Sequence, residues 1–248
     1  MLEILEKYLE YTVFIIITLK ILASFISWSQ RKRMQYLATK WLIPFCGLLM
    51  FLAIIEWILG RFIFNKSFIY YISCVKPLLK SLGIQDMNFT ASVSYLIKFI
   101  FLGLFFRDLM AEKFWKTFFQ GAVWVLIVFE LVQVFVFKSY QGYDSLSSTV
   151  KNVFIIGGVG LFLYKFYHSD TGKISLVKNP YFWISLGLIL PAFAEFFLEF
   201  IFTKLYQTDL EGFYKYYLVR NASQIIGFLL LIMGIWQAKY LRFLPKEY

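Results

Sequence analysis

Residues 181–206 read YFWISLGLILPAFAEFFLEFIFTKLY, and this stretch decides the fold class. It is longer than the roughly 20 apolar residues that a helix needs to cross a lipid bilayer. Its charged residues are Glu195, Glu199 and Lys204. Because the stretch is long and lacks the alternation of apolar and polar side chains that is typical of a half-buried strand, it predicts a membrane-spanning helix.

Six further apolar stretches, separated by clusters of charged residues, predict six more such helices. They cover residues 11–28, 41–64, 91–106, 117–137, 147–167 and 216–238. Of the 248 residues, 60% are hydrophobic and 16% are charged, whereas a soluble domain is about half apolar and a quarter charged. The sequence therefore predicts an all-α fold, a polytopic membrane bundle of seven transmembrane helices that forms a single transmembrane domain over residues 1–248 and lies in a lipid bilayer.

Lysine and arginine are distributed unequally between the two ends of the predicted helices. Thirteen lie in or beside the loops on one side, and seven on the other. Because cytoplasmic loops carry the excess of positive charge, the N-terminus is predicted outside and the C-terminus in the cytoplasm. Tryptophans that indicate an interfacial belt occur at the predicted cytoplasmic helix ends; they are Trp28, Trp41, Trp115, Trp183 and Trp236.

This distribution accounts for the net charge of +10, so binding to nucleic acid is not predicted. The N-terminus is rich in glutamate and lacks the basic region of a cleaved signal peptide, so the first apolar stretch is predicted to remain as a helix. Cys46 and Cys74 are predicted at different depths, which argues against a disulfide bond between them.

Motifs for catalysis and for cofactor binding are missing from the sequence. It contains no Walker loop, no nucleophile elbow and no glycine-rich dinucleotide fingerprint. His168 is the only histidine, which argues against a zinc site or a pair of haem ligands. No catalytic residue, metal site or cofactor is predicted.

Ionisable residues inside the predicted spans are the most informative feature. Each costs about 2.5–3.5 kcal/mol near the centre of the bilayer, so they are expected to face the interior of the bundle. Together with Asn221, which is next to one of them in the sequence, they are the candidate ligand-binding residues: Lys20, Glu56, Lys98, Glu130, Glu195, Glu199 and Arg220. Four other basic residues were predicted to extend to a membrane surface and are not candidates; they are Arg61, Lys151, Lys165 and Lys204.

Two interpretations of these charges remain open. They form either a ligand or ion pocket that opens to the outside, or a salt-bridge network that only fixes how the helices pack. Glu195 and Glu199 are one helical turn apart and repel each other, so one of them is predicted to be protonated or to bind a cation.

Three further features concern the shape of the helices and of one loop. Pro191 predicts a kink beside Glu195, which is either a hinge or a plain adaptation of packing. The glycines at 157, 158 and 160 predict close helix packing. The loop 65–90 contains an apolar stretch, residues 68–75, that is too short to span and is predicted to lie in the interface or to dip back as a lid.

The segments NPYFWISLGL at 179–188 and YLVRNASQIIGF at 217–228 resemble a family of small, uncharacterised seven-helix membrane proteins. Members of that family occur in Bacteroidota-type bacteria and are associated with sensor histidine kinases. The resemblance covers about the last third of the chain and includes no catalytic signature. It implies a signalling or accessory role, and it assigns no function to individual residues. The predicted location is the bacterial cytoplasmic membrane.

The leading hypothesis is a receptor-like signalling protein. It would bind a small ligand, an ion or a lipid headgroup from the external side and pass a conformational change to a separate membrane or cytoplasmic protein. An ion- or proton-coupled transporter is the alternative, although no repeat of the transporter kind is evident. A membrane enzyme that acts on lipids and a scaffold subunit are further alternatives.

Overall fold

The computed structural model describes residues 2–35, 37–59, 81, 83–84, 88–168 and 176–243. These residues form seven long helices, and none of them lies in a strand. The long helices are α1 (Leu2–Ser29), α2 (Leu42–Leu59), α3 (Phe89–Leu109), α4 (Lys113–Phe135), α5 (Ser145–His168), α6 (Pro180–Thr208) and α7 (Leu210–Trp236). Short helical segments at Arg31–Met34, Ala38–Trp41 and Gln237–Phe243 flank them.

Polar residues at the helix starts explain where two of the long helices begin. The side chain of Asn179 accepts a hydrogen bond from the backbone N–H of Tyr181, and Pro180 occupies the first turn of α6. Asp209 accepts in the same way from the backbone N–H of Gly212 at the start of α7. Such side-chain acceptors satisfy N–H groups that have no partner within the helix.

All seven long helices are long and apolar enough to cross a membrane. Large apolar side chains such as Phe14, Phe25, Trp124 and Phe135 are exposed on their outer faces. A soluble protein rarely exposes so much apolar surface, whereas lipid covers it at no cost. The prediction of an all-helical fold with seven potential membrane-spanning helices is confirmed.

The helix bounds differ from the predicted apolar stretches mainly at two starts. α1 begins at residue 2 instead of 11, and α7 begins at residue 210 instead of 216. Both extensions contain charged residues, including Glu6 and Glu211, that are compatible with a helix but not with the centre of a bilayer. Hydropathy marks the part of a helix that crosses the membrane, and these helices continue beyond it.

Hydrogen bonds show which helix ends lie together. Tyr214, near the start of α7, donates to Glu6 near the start of α1, with an O–O distance of 3.0 Å. Thr90, at the start of α3, donates to Glu56 near the end of α2 over 2.8 Å. We call the end of the bundle where α1, α3, α5 and α7 begin the N-terminal end, and the opposite end the C-terminal end.

Six of the seven helices form a closed ring. Each packs against the next in the order α1, α2, α3, α5, α6 and α7, and α7 packs against α1. α4 lies outside the ring and packs mainly on α3. A closed ring gives every member helix a face that points toward a shared interior.

An apolar core fills the C-terminal half of this interior. Phe105 and Phe106 from α3, Phe162 from α5 and Tyr181 from α6 are almost completely buried there. The rings of Phe105 and Phe106 lie 5.5 Å apart, and those of Phe162 and Tyr181 lie 6.1 Å apart. Dense aromatic packing of this kind closes the C-terminal half to water.

α6 and α7 approach each other most closely at glycine. A β-carbon added to Gly227 would lie 2.3 Å from Cγ of Pro191 and 2.8 Å from the carbonyl oxygen of Gly187. Proline at 191 cannot donate to that carbonyl, so the freed oxygen lies against the backbone of α7. α6 continues as a helix through Pro191, and the predicted hinge stays a prediction.

The predicted role of three glycines in α5 is correct for one of them. A β-carbon at Gly158 would lie 2.5 Å from the ring of Phe106, so the glycine permits this contact. The prediction is wrong for Gly157 and Gly160, where a β-carbon would meet nothing within 4 Å. Both are exposed, because residues one or two positions from Gly158 lie on other faces of a helix that has 3.6 residues per turn.

Some predictions concern residues outside the described part of the chain. They include the apolar stretch 68–75 with most of its loop, the residues Arg61 and Cys74, and the side chain of Lys204. Cys46 is described and is a buried free cysteine.

Candidate functional site

Each of the six ring helices contributes one charged side chain to a common group in the N-terminal half. We call this group the central charge cluster, and it consists of Lys20 (α1), Glu56 (α2), Lys98 (α3), Lys151 (α5), Glu195 (α6) and Arg220 (α7). Electrostatic interactions connect all six, with Glu195 interacting with every basic member. The cluster therefore links the whole ring through charge.

Glu195 is the centre of the cluster and is only 6% exposed. One carboxylate oxygen accepts a hydrogen bond from the ammonium group of Lys151, whose side chain is 2% exposed. The other accepts from the side-chain amide of Gln224 over 2.6 Å and lies 3.7 Å from Nε of Arg220. Such charge-assisted contacts offset the cost of burying the carboxylate.

Three basic side chains of the cluster have fewer polar partners than Lys151 has. Lys20 and Lys98 form no hydrogen bond and no ion pair within the described residues, although both are attracted by Glu195. The guanidinium of Arg220 lies beyond hydrogen-bond distance of Glu195 and packs over the ring of Tyr217, 5.3 Å from its centre. Arg220 is 25% exposed, so the cluster reaches the surface of the bundle there.

Tyrosines surround the basic side chains. Tyr95 is buried, and the ammonium group of Lys151 lies 5.5 Å from the centre of its ring. Tyr143, in the connection between α4 and α5, donates a hydrogen bond of 2.6 Å to the carboxylate of Glu199. Partial burial, together with this bond, raises the pKa of the Tyr143 phenol, since its ionised form would face a second negative charge.

The structure corrects the assignment of Lys151 as a residue that extends to the membrane surface. Lys151 lies in the second turn of α5, close enough to the helix end for such an extension. Its side chain is instead buried against Glu195. Distance from a helix end was a poor guide here, because the face of the helix decides whether a lysine meets lipid or the interior. Lys165 is 25% exposed and pairs with Glu112.

Five of the eight predicted site residues meet in the cluster, and three do not: Asn221, Glu130 and Glu199, the last of which accepts a hydrogen bond from Tyr143. Asn221 is buried and donates a hydrogen bond of 2.8 Å to Thr12, which joins α7 to α1. Glu130 lies on α4, outside the ring, and is completely buried beside Ser92 and Ser147. Neither of its carboxylate oxygens has a hydrogen bond of normal geometry within the described residues.

Glu195 and Glu199, which are predicted to repel each other, have different partners in the structure. Glu195 contacts cations, whereas Glu199 accepts from the Tyr143 hydroxyl. Among the described residues no group of three or more histidine, cysteine, aspartate or glutamate side chains could hold a metal ion. The arrangement supplies one well-paired carboxylate and a surplus of cationic hydrogen-bond donors.

Grooves on the described surface lie away from the cluster. One of about 540 Å³ follows the outer face of α4 along Phe114, Phe118 and Val125. Its apolar lining suits contact with lipid tails. It contributes nothing to the charged site.

Sequence reasoning missed Tyr95 and Tyr143 as well as Lys151. Tyr95 lies three residues before Lys98 on α3, so helical spacing would have placed both on one face. Tyr143 is in the connection between α4 and α5, and no periodic pattern predicts its contact with Glu199.

Comparisons of the chain with known protein families, with characterised proteins and with solved structures find no match.

Proposed function

We propose that this chain is a receptor-like membrane protein that binds a small ligand, an ion or a lipid headgroup in the central charge cluster. One observation carries the proposal: six ring helices each place one charged side chain in the same group, at whose centre Lys151 and Glu195 are buried. Charges inside a membrane are costly and usually serve function. A ligand that changes the charge balance at this point acts on all six helices together.

The contact between α6 and α7 supports transmission from the cluster to the rest of the bundle. Pro191 is one turn from Glu195, and Gly227 is one turn from Gln224. Because Glu195 and Gln224 are hydrogen-bonded to each other, a ligand that separates them alters the tightly packed crossing at Pro191 and Gly227. A small shift at such a crossing is amplified toward the C-terminal end.

The apolar core of the C-terminal half favours a receptor over a transporter. A transport path needs polar groups or water on both sides of the binding site. Phe105, Phe106, Phe162 and Tyr181 occupy the position where such a path would continue. A cluster that is closed on this side suits sensing from the N-terminal end.

The proposal includes an orientation. The excess of lysine and arginine at the C-terminal end supports placing that end in the cytoplasm and the N-terminal end outside. Trp41 at this end donates to Asp108 over 2.8 Å, as suits an indole in a membrane interface. The chain would then lie in the cytoplasmic membrane of a bacterium and act on a separate signalling protein at its cytoplasmic end.

Distance measurements between spin labels test this proposal. Labels on Tyr167→Cys and Trp236→Cys, in a background of Cys46→Ala and Cys74→Ala, report on the exposed C-terminal ends of α5 and α7. The probes are sodium ions, acetate, phosphate and phosphatidylglycerol, each in lipid nanodiscs. A probe that binds the cluster is expected to change the distance by about 1–2 Å or more, and to have no effect in Lys98→Met.

Two results would contradict the proposal. One is an unchanged distance with a probe that binds the cluster by thermal shift, and the other is the absence of binding by all four probes. Flux of a probe across liposome membranes, if it is abolished by Glu195→Gln but not by Glu112→Gln, would replace the receptor by the transporter.

A further inference from the structure

The unmatched cations of the central charge cluster indicate what class of ligand it takes. The inference rests on the proposed function, since it assumes that the cluster is a ligand site. The cluster holds four basic and two acidic side chains. If Glu199 is added because it lies one turn from Glu195, four cations still face three carboxylates. At least one positive charge is therefore left without a carboxylate.

Hydrogen bonding shows the same imbalance. An ammonium group has three N–H donors and a guanidinium five, and neither can accept. The donors of Lys20, Lys98 and Arg220 form no hydrogen bond within the described residues, whereas both oxygens of Glu195 are already occupied. These three side chains are half-buried in the bundle, where donors without a protein acceptor are unfavourable unless another group accepts from them. A group rich in acceptor oxygens therefore suits this site.

A second cation does not fit this arrangement. The central carboxylate of the cluster, Glu195, already accepts hydrogen bonds from Lys151 and Gln224, and Glu56 interacts with Lys20. Lys98 is moreover repelled by Lys151, by Lys20 and by Arg220. A negative charge among these groups relieves the repulsion, whereas a positive charge increases it.

We infer that the central charge cluster binds an anionic oxygen-rich group, a carboxylate or a phosphate, between Lys20, Lys98 and Arg220. The guanidinium of Arg220 offers paired donors with the geometry that such groups accept. Its 25% exposure places it at the entrance. The same chemistry belongs to a soluble anion and to the headgroup of an anionic lipid.

Thermal unfolding of the full chain in nanodiscs tests the inference. In phosphatidylcholine discs with a bulky organic buffer, sodium phosphate and sodium acetate are added in separate titrations. In a second arm, phosphatidylglycerol replaces part of the phosphatidylcholine without added phosphate. Binding at about 100 times the Kd is expected to raise the Tm of the wild type by about 5–10 °C.

The variants Lys98→Met and Lys20→Met are expected to lose this increase. Without an anion they should unfold at the same temperature as the wild type or at a higher one, because each removes a half-buried ammonium group that forms no hydrogen bond within the described residues. Lys113→Met, at an exposed position at the start of α4, is the matched control and should keep the full increase.

The two arms of the experiment distinguish a soluble anion from a lipid headgroup. They also distinguish a failure of this inference from a failure of the proposed ligand site. A lysine-dependent increase with phosphate or acetate identifies a soluble anion, and one with phosphatidylglycerol alone identifies a lipid headgroup. If sodium ions stabilise the wild type and no anion does, the inference is overturned while the ligand site stands. If an anion raises the Tm equally in the wild type, Lys98→Met and Lys20→Met, the inference is overturned. If neither sodium ions nor any anion raises the Tm of the wild type, the ligand site fails as well.

Discussion

Glu195 is the residue on which the balance of the cluster depends. It is the carboxylate shared by Lys151 and Arg220, so its loss leaves more than one cation without a counter-charge. Loss of Lys151 has a smaller consequence, since Arg220 and Gln224 still contact the carboxylate. The two members of this ion pair are therefore not equivalent.

Glu195→Gln is predicted to lower the free energy of unfolding by about 3–5 kcal/mol, the usual cost of leaving a buried charge unpaired. Lys151→Met is predicted to cost clearly less. Equilibrium unfolding in mixed detergent micelles measures both. Lys165→Met and Glu112→Gln disrupt an exposed ion pair and serve as controls, each with an expected cost of about 0–1 kcal/mol. Equal costs for the two buried variants would show that Arg220 does not share the carboxylate.

Removal of the charge of Glu130 is predicted not to lower the free energy of unfolding, in contrast to Glu195→Gln. Its carboxyl group is completely buried, and its oxygens lack a hydrogen bond of normal geometry within the described residues. Glu130→Gln removes the charge and preserves the shape, so the free energy of unfolding should stay unchanged or rise by about 1 kcal/mol. The same unfolding experiment measures it. A loss of more than about 2 kcal/mol would mean that the carboxylate has a charged or donor partner.

Tyr143 gives a prediction about pH. Its pKa is raised by partial burial and by the hydrogen bond to Glu199, whereas an unfolded tyrosine ionises near pH 10. The contribution of this contact to stability is then fully present below a pH of about 10 and is lost as the pH rises through the higher folded pKa. Subtracting the tyrosinate absorbance of Tyr143→Phe from that of the wild type isolates this group. Ionisation of Tyr143 near pH 10 in the wild type would contradict the contact. An unchanged pKa of Tyr143 in Glu199→Gln would contradict it as well.

At the scale of elements, the sequence predicted seven helices because each carries an apolar stretch of sufficient length. The close crossing of α6 and α7 was not predictable from the same pattern. Gly187 and Gly227 are ordinary glycines within apolar runs, whereas the more conspicuous glycines of α5 mostly face outward. Periodicity shows that a helix has an apolar face but does not say which helix covers it.

Substitution of Gly227 tests the crossing of α6 and α7. Gly227→Ala places a methyl group 2.3 Å from Pro191, so the helices must separate, and we expect a loss of about 1–3 kcal/mol in the free energy of unfolding. Gly160→Ala is the matched control in α5, where nothing lies within 4 Å; alanine favours helix by about 0.5–1 kcal/mol there. Equal effects of the two substitutions would contradict the close crossing.

At the scale of the whole molecule, the sequence predicted that charged residues inside the spans would meet, because lipid cannot solvate them. It could not predict that the ring excludes α4 and with it Glu130. Which helices close the ring depends on side-chain packing over the whole bundle. For the same reason Lys151 was assigned to the surface, although its helix turns it toward Glu195.

An experimental structure in lipid nanodiscs that contain phosphate and phosphatidylglycerol tests the central claim most directly. We predict Lys151 on the carboxylate of Glu195, and density for an anionic group within hydrogen-bond distance of Lys98 or Lys20. A cluster in which both lysines bond only to groups of the protein, with no such density, would contradict the ligand site and would leave a salt-bridge network that serves packing alone.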